Sequence, residues 1–560
     1  MHKTDPTLAL SVGQFTRRRV IQLGLSCCMG LSVLSTALWA PQAVAAPPSS
    51  PTGQVVMGLS QEPTILHPLI SSIEADHGVW WNLYDPLWAP DEKGNFVPRL
   101  AVEVPTVENG GISEDGLTWR VKLRDDVVWH DGEPFTAADV KYTLDLINQE
   151  GFNTRTRQGH ELIEKVEIIN DHEIMWTMKE LYAPYISQLS STFMVPKHVL
   201  EKDADPNASS LSQKPIGTGP FKFDSRVPGD RVVLVANEQY YGDGPYLERL
   251  EFKYIPDMNG LYTQFRTGQV DAVGIQGIPH NFYDEIKDVP ELDVRVVPIA
   301  SIEGIAINHE HPILSEKAVR QALFHAINRD AIVELIYYGL PETTESFLPK
   351  TSWAYADDLP AQEYDLEKAA QLLDDAGWTM GADGIREKDG KKLSFIVATT
   401  SGNELRAQTQ QLIQQDWKNI GVELKINNMP AAVMWGDHWF KSQFESVLVS
   451  VNYMTGNDPD ANYRFNSRAI PAQGGSGSNV GQYKNPEADA LLEKGRKTMD
   501  LEGRKKIYHD LQHVLREDLA ILPLYQTVHV EGTKKGLEGF TPNVNVLSNA
   551  WNAGSWYWDK

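Results

Sequence analysis

Both cysteines of this 560-residue chain, Cys27 and Cys28, stand side by side within its first 46 residues. Everything downstream must therefore hold its shape by packing and hydrogen bonding, with no disulfide, no thiolate nucleophile and no cysteine-bound zinc. A single apolar core stops growing at roughly 250–300 residues, so a chain of this length is expected to form two or three packed units. After residue 46 no segment approaches the ~20 apolar residues of a membrane span.

The segment that holds the cysteines reads as an export signal. Arg17, Arg18 and Arg19 precede a run from Val20 to Ala40 that is apolar or small apart from Gln22, and Ala43-Val44-Ala45 has the small-x-small spacing of a cleavage site after Ala45 or Ala46. Thr16-Arg17-Arg18-Arg19-Val20-Ile21 resembles the twin-arginine variant, which carries folded proteins; a general secretory signal with three arginines is the alternative. A lipoprotein cysteine follows Gly or Ala, whereas Cys27 follows Ser26, so a periplasmic product without a lipid anchor is expected.

The formal net charge is -24, and residues 1–46 carry four basic groups against one acidic, leaving -27 on the remainder. A body that acidic repels phosphate backbones and anionic membranes, so nucleic acid is excluded as a partner. Of the fifteen tryptophans, fourteen follow residue 46, enough to furnish both core and a ligand cleft.

Strands are expected at Gly53–Leu59, Trp119–Leu123, Val232–Val235 and Leu250–Ile255. Thr136 and Asp139 form a capping box, Asp365 caps a helix that Gly377 ends, and Asn485-Pro486 opens another. Val319, Leu323 and Ile327 fall on one helical face. Strands alternating with helices predict α/β units with largely parallel sheets.

Catalytic signatures are missing. There is no P-loop, no HExxH and no complete Gly-x-Ser-x-Gly, and the carboxylates are too many to single out a pair. His509 and His513 are four apart on an expected helix, but no third metal ligand stands near them in sequence, so a solvated face is the reading; His309 and His311, flanking Glu310, are read the same way. No cofactor and no metal are expected.

Five segments in order, within residues 53–528, resemble the extracellular solute-binding protein family 5, the peptide and nickel binding proteins of ABC importers. They are Val128–Val140, Pro215–Phe221 with its Gly-Thr-Gly-Pro turn, Phe265–Asp271, Ala318–Leu323 with Ile327-Asn328-Arg329, and Leu372–Trp378. The resemblance implies an α/β, two-lobed periplasmic-binding-protein fold of the venus-flytrap type with an extra inserted subdomain. Lobe I would comprise 46–83, 214–302 and 530–560, the insertion 84–213 and lobe II 303–529. The lobes would join near Ala300–Gly304 and Gln526–Val528, with Gly304 as a hinge residue. The protein would be a monomer that captures a small molecule, passes it to an inner-membrane permease and catalyses nothing. Peptides or peptide-like amino compounds are favoured; opines, oligosaccharides and nickel chelates are alternatives, and an exported hydrolase is the alternative of another class.

The same resemblance places ligand contacts at Gln61, Glu62 and Thr64, and at Asn452, Tyr453, Thr455 and Gly456, with Trp435 and Trp439 as walls. The tryptophan pair reads equally as one buried helix face. Peptide binders pair the ligand amine with an aspartate three residues before an Asp-Pro-Asp; here that place is Thr455, so either Asp458 substitutes, with the loop shifted, or the ligand is not an ordinary peptide.

Overall fold

The computed structural model describes residues 46–70, 73–274, 277–546 and 548–559; the export signal lies outside them. Among these residues eleven strands share one sheet. They are β1 (Gln54–Leu59), β2 (Phe221–Val227), β3 (Arg231–Ala236), β4 (Arg249–Tyr254), β5 (Ala272–Val273), β6 (Leu292–Ile307), β7 (Glu342–Thr343), β8 (Ser394–Ala398), β9 (Glu423–Ile426), β10 (Ser446–Val451) and β11 (Ile521–Lys534). Their order is β9-β8-β10-β6-β11-β5-β1-β4-β3-β2, with β7 against β11.

The expectation of largely parallel sheets is corrected to a mixed sheet. β1 runs parallel to β4 and β5, and β8 parallel to β9 and β10. The middle is antiparallel because its two longest strands, β6 with 16 residues and β11 with 14, traverse the sheet in opposite directions. Their ladder slips between Pro298 and Ile302, where proline has no N–H to give. Side chains bridge the gap instead: Gln526 Nε2 donates to the Ile299 carbonyl (3.1 Å) and Thr527 Oγ1 to that of Ser301 (2.9 Å). Gly304 sits at a second slip, where a Cβ would stand 2.7 Å from the Leu522 carbonyl oxygen. Close backbone approach is what this glycine permits there.

Helix punctuation follows local chemistry. Helix α1 is Glu74–Leu83 and α2 is Ala137–Asn148. The Thr136 N–H donates to Asp139 (2.9 Å) while the Thr136 hydroxyl accepts from the second turn residue, Ala138. Asp365 accepts from the Lys368 N–H ahead of α4 (Leu366–Asp375) and Asn485 caps α6 (Pro486–Arg496); α3 is Lys317–His325, α5 Glu404–Asn419 and α7 Leu501–Asp518. Val319 and Leu323 lie on α3, but Ile327, equally buried, lies past its end. The reason is Asn328, whose side chain caps the next helix at Ala331 and ends the first one early.

Apolar clusters flank the two ends of the sheet, and a further one lies under a separate antiparallel sheet of Thr118–Lys122, Ile163–Asn170 and Glu173–Met178. Trp119 and Trp176 stack across that sheet at 6.0 Å. Among the described residues eight tryptophans are less than 2% exposed, so most of this residue class is core. Each removes about 150–250 Å² from water, worth ~4–6 kcal/mol before entropy is subtracted.

Candidate functional site

The backbone at Thr64 and Ile65 is pinned before α1 begins. Asp76 accepts from the Thr64 N–H (2.6 Å) and the Ile65 N–H (3.3 Å), and Trp80 Nε1 donates to the Ile65 carbonyl (3.2 Å). Glu62 accepts from Arg226 and from the Gly229 N–H, both at 2.9 Å, and those bonds hold its carboxyl below the ordinary value. This scaffold fixes α1, which is buried from Ala75 to Leu83 and presents His77, Trp80 and Trp81 to a cavity of about 230 Å³.

The wall opposite is formed by Asn452, Met454, Thr455 and Gly456, just beyond β10, and the sides by Arg155, Gln158 and Phe193 among others. Aromatic faces dominate one side: His77 stacks on Trp80 at 4.4 Å, and Trp81 meets Phe193 edge-on at 4.9 Å. Gly456 has φ +62° in a tight turn whose ends are tied by Thr455 and Asp458 exchanging backbone bonds of 2.9 and 3.0 Å. Gln158 Nε2 donates to Thr455 Oγ1 (3.0 Å) and to the Tyr182 hydroxyl (2.9 Å), which in turn donates to Asp460 (3.0 Å). The turn is thus locked to the segment that forms the cavity's side.

Two titratable groups line this space. Burial, then the neighbouring Arg155, lowers the His77 pKa to about 3, so the ring is neutral; its Nε2 has no hydrogen-bond partner among the described residues. Arg155 donates to the Ser191 carbonyl, and burial lowers it to about 10. Among the described residues no carboxylate is paired with it, although the chain is strongly acidic.

Residues 95–472 match the family model for bacterial extracellular solute-binding proteins, family 5 Middle. The chain belongs to this family. Its members bind solutes and are not enzymes. The oligopeptide-binding protein AppA of Bacillus subtilis is 30% identical over 91% of this chain and 92% of its own. Its solved structure in complex with a nonapeptide covers 92% of the present chain with a TM-score of 0.77 and 28% identity, and all of its own. NikZ of Campylobacter jejuni in complex with Ni(L-His) gives 0.78 at 30% identity, covering 90% of this chain and 99% of its own. The two-lobed α/β fold of the solute-binding proteins is therefore that of the present chain.

Of the residues expected at the binding protein's ligand site, the cavity gathers Asn452, Thr455 and Gly456. Glu62 and Thr64 lie in the scaffold behind α1 and Gln61 is exposed; none of the three lines the cavity. Tyr453 turns the other way, stacked on Phe465 at 5.1 Å in the adjoining core. Trp435 and Trp439 meet edge-to-face at 5.4 Å, and Trp439 stacks on Phe444, so the pair packs into the same core instead of walling the cavity. Asp458 is consumed by Arg504, to which it is bonded twice at 2.7 Å. His77, Trp80, Trp81, Arg155 and Gln158 were not among the expected residues. The adjacent tryptophans in an apolar run were the signal in reach, while Arg155 sits in an unremarkable polar loop.

Proposed function

We propose that this protein is the solute-capturing component of an ABC importer, closing over a small peptide-like compound that carries a carboxylate and delivering it to a permease in the inner membrane. Arg155 carries the assignment of ligand class. An unpaired guanidinium at a cavity wall costs several kcal/mol of desolvation, and a ligand anion offsets it. The relatives named above bind a nonapeptide and a nickel–histidine complex, and both kinds of ligand present carboxylates. Asn452, Thr455 and Gly456 would meet the ligand from lobe II with backbone and amide groups, which hold a peptide-like chain without reading its side chains. Lobe I as 46–83, 214–302 and 530–560, the insertion as 84–213 and lobe II as 303–529 fit this mode of action, with the slipped ladder at Pro298–Ile302 as the pivot. Export to the periplasm would follow the twin-arginine route through Arg17 and Arg18, without a lipid anchor.

The test starts from native mass spectrometry of the protein drawn from its periplasm, which names the cargo's class. Calorimetry then compares dipeptides with their C-terminal amides. Arg155→Gln should lose about 2–5 kcal/mol of affinity for the free acids and little for the amides. Equal binding of acid and amide by the wild-type chain refutes the assignment.

A second reading has its own support. The neutral, unpartnered Nε2 of His77 would suit a metal ion held within a carboxylate chelate. His77→Gln would then abolish uptake of the chelate and leave dipeptide binding intact.

A further inference from the structure

His509 and His513 lie one turn apart on α7, and the loop carrying Asp358 crosses the same face. One ligand atom from each of the three residues falls within 4.8 Å of the others. Asp358 Oδ1 stands 3.0 Å from His513 Nε2 and 3.8 Å from His509 Nδ1. On its far side His509 Nε2 is 3.1 Å from the Tyr355 carbonyl oxygen. A carbonyl only accepts, so Nε2 carries a proton and Nδ1 is the ring nitrogen turned toward the carboxylate. Both imidazoles thus aim a nitrogen at one Asp358 oxygen, a convergence that a shared positive centre, proton or metal ion, can occupy.

The loop is held independently on both flanks of Asp358. Gln512 Nε2 donates to the Ala354 carbonyl (2.7 Å), the Ala356 N–H donates to Gln512 Oε1 (3.1 Å), and Arg516 donates to the Pro360 carbonyl (3.0 Å). Metal–ligand lengths of about 2.0–2.2 Å in a tetrahedron imply ligand–ligand edges of ~3.4 Å. The two carboxylate edges, 3.0 and 3.8 Å, bracket that value. The bond from His509 to a backbone carbonyl is also the outer-shell contact that orients a metal-binding imidazole.

We propose that Asp358, His509 and His513 form a surface site for a divalent transition-metal ion of the zinc type, with a fourth position open to water. Two imidazoles and one carboxylate suit zinc and its late first-row neighbours, not magnesium or calcium. None of the three residues lines the cavity, so the site stands apart from whatever solute the protein captures. The ion would clamp the loop around Asp358 to α7.

The experiment titrates Zn²⁺ into the untagged, EDTA-stripped chain by calorimetry at neutral pH. One equivalent should bind and raise the melting temperature, and EDTA should reverse the shift. His513→Ala and Asp358→Ala should each weaken binding by more than about tenfold. His77→Gln, in the cavity, should leave it unchanged. The proposal is overturned if the wild-type chain takes up no Zn²⁺, if His513→Ala and Asp358→Ala bind it as the wild type does, or if only His77→Gln loses it.

Discussion

Asp458 and Arg504 face each other through two hydrogen bonds of 2.7 Å, with side chains only 4% and 6% exposed. Burial works against the Arg504 charge, but the Asp458 carboxylate outweighs it and holds the guanidinium above its ordinary pKa. Arg504 also donates to the Gly495 carbonyl and the Tyr508 hydroxyl, so the pair is the node of an internal network. Asp458→Asn, measured by urea denaturation, should cost about 3–5 kcal/mol because an uncompensated charge stays buried. Ligand affinity should hardly change. A large loss of affinity with stability intact would return Asp458 to the binding surface.

Trp439 belongs to the same core by its stack on Phe444 at 5.3 Å. Trp439→Ala should cost about 3–5 kcal/mol of folding stability. Binding measured well below the lowered melting temperature should stay within a few-fold of wild type.

A third expectation concerns pH. Burial, reinforced by Glu74 against the opposing Asn549 and Arg295, pushes the Glu531 carboxyl from 4.5 up to about 8. The folded state then binds a proton that the unfolded state has released, so this group's contribution is complete below pH 4.5 and is lost as pH rises through about 8. The buried histidines act in the opposite sense and lower down: His77, lowered from 6.5 to about 3, costs stability as pH falls through that window. Glu531→Gln should therefore match the wild type near pH 5 and exceed it in melting temperature near pH 9. Parallel melting curves at both pH values would show that Glu531 is charged throughout.

The twin-arginine reading predicts that changing Arg17 and Arg18 together to Lys leaves precursor in the cytoplasm, read by immunoblotting of cell fractions. Unchanged export would assign the signal to the general secretory route.

Features whose partners lie within a few residues were legible in the sequence. The capping box of Thr136 and Asp139 spans three residues and stands as expected, as does the Asn485-Pro486 helix start. The family was legible for the same reason, since its marks are local turns and caps. The cavity was not, because Asn452 and Thr455 meet Gln158 and Arg155 across roughly three hundred residues; the Gln158–Thr455 bond spans 297. A carboxylate in a sequence does not reveal that its charge is already taken: Asp458 looked available until Arg504, 46 residues on, was seen to occupy it. Conversely the helical spacing of His509 and His513 was plain, but the carboxylate that completes the set comes from 155 residues before His513.

The position of β11 has a consequence for how the chain is made. This strand, Ile521–Lys534, lies between β6 and β5, and so joins the two halves of a sheet whose other members are all translated before it. While the ribosome is still working upstream of residue 521, the two halves of the sheet have no ladder in common. Final assembly must wait for the last-synthesised central strand, and until then both β5 and β6 present bare edges. From the completion of β6 at Ile307 until β11 begins at Ile521, the nascent polypeptide therefore carries two open edges, each a template for unwanted pairing.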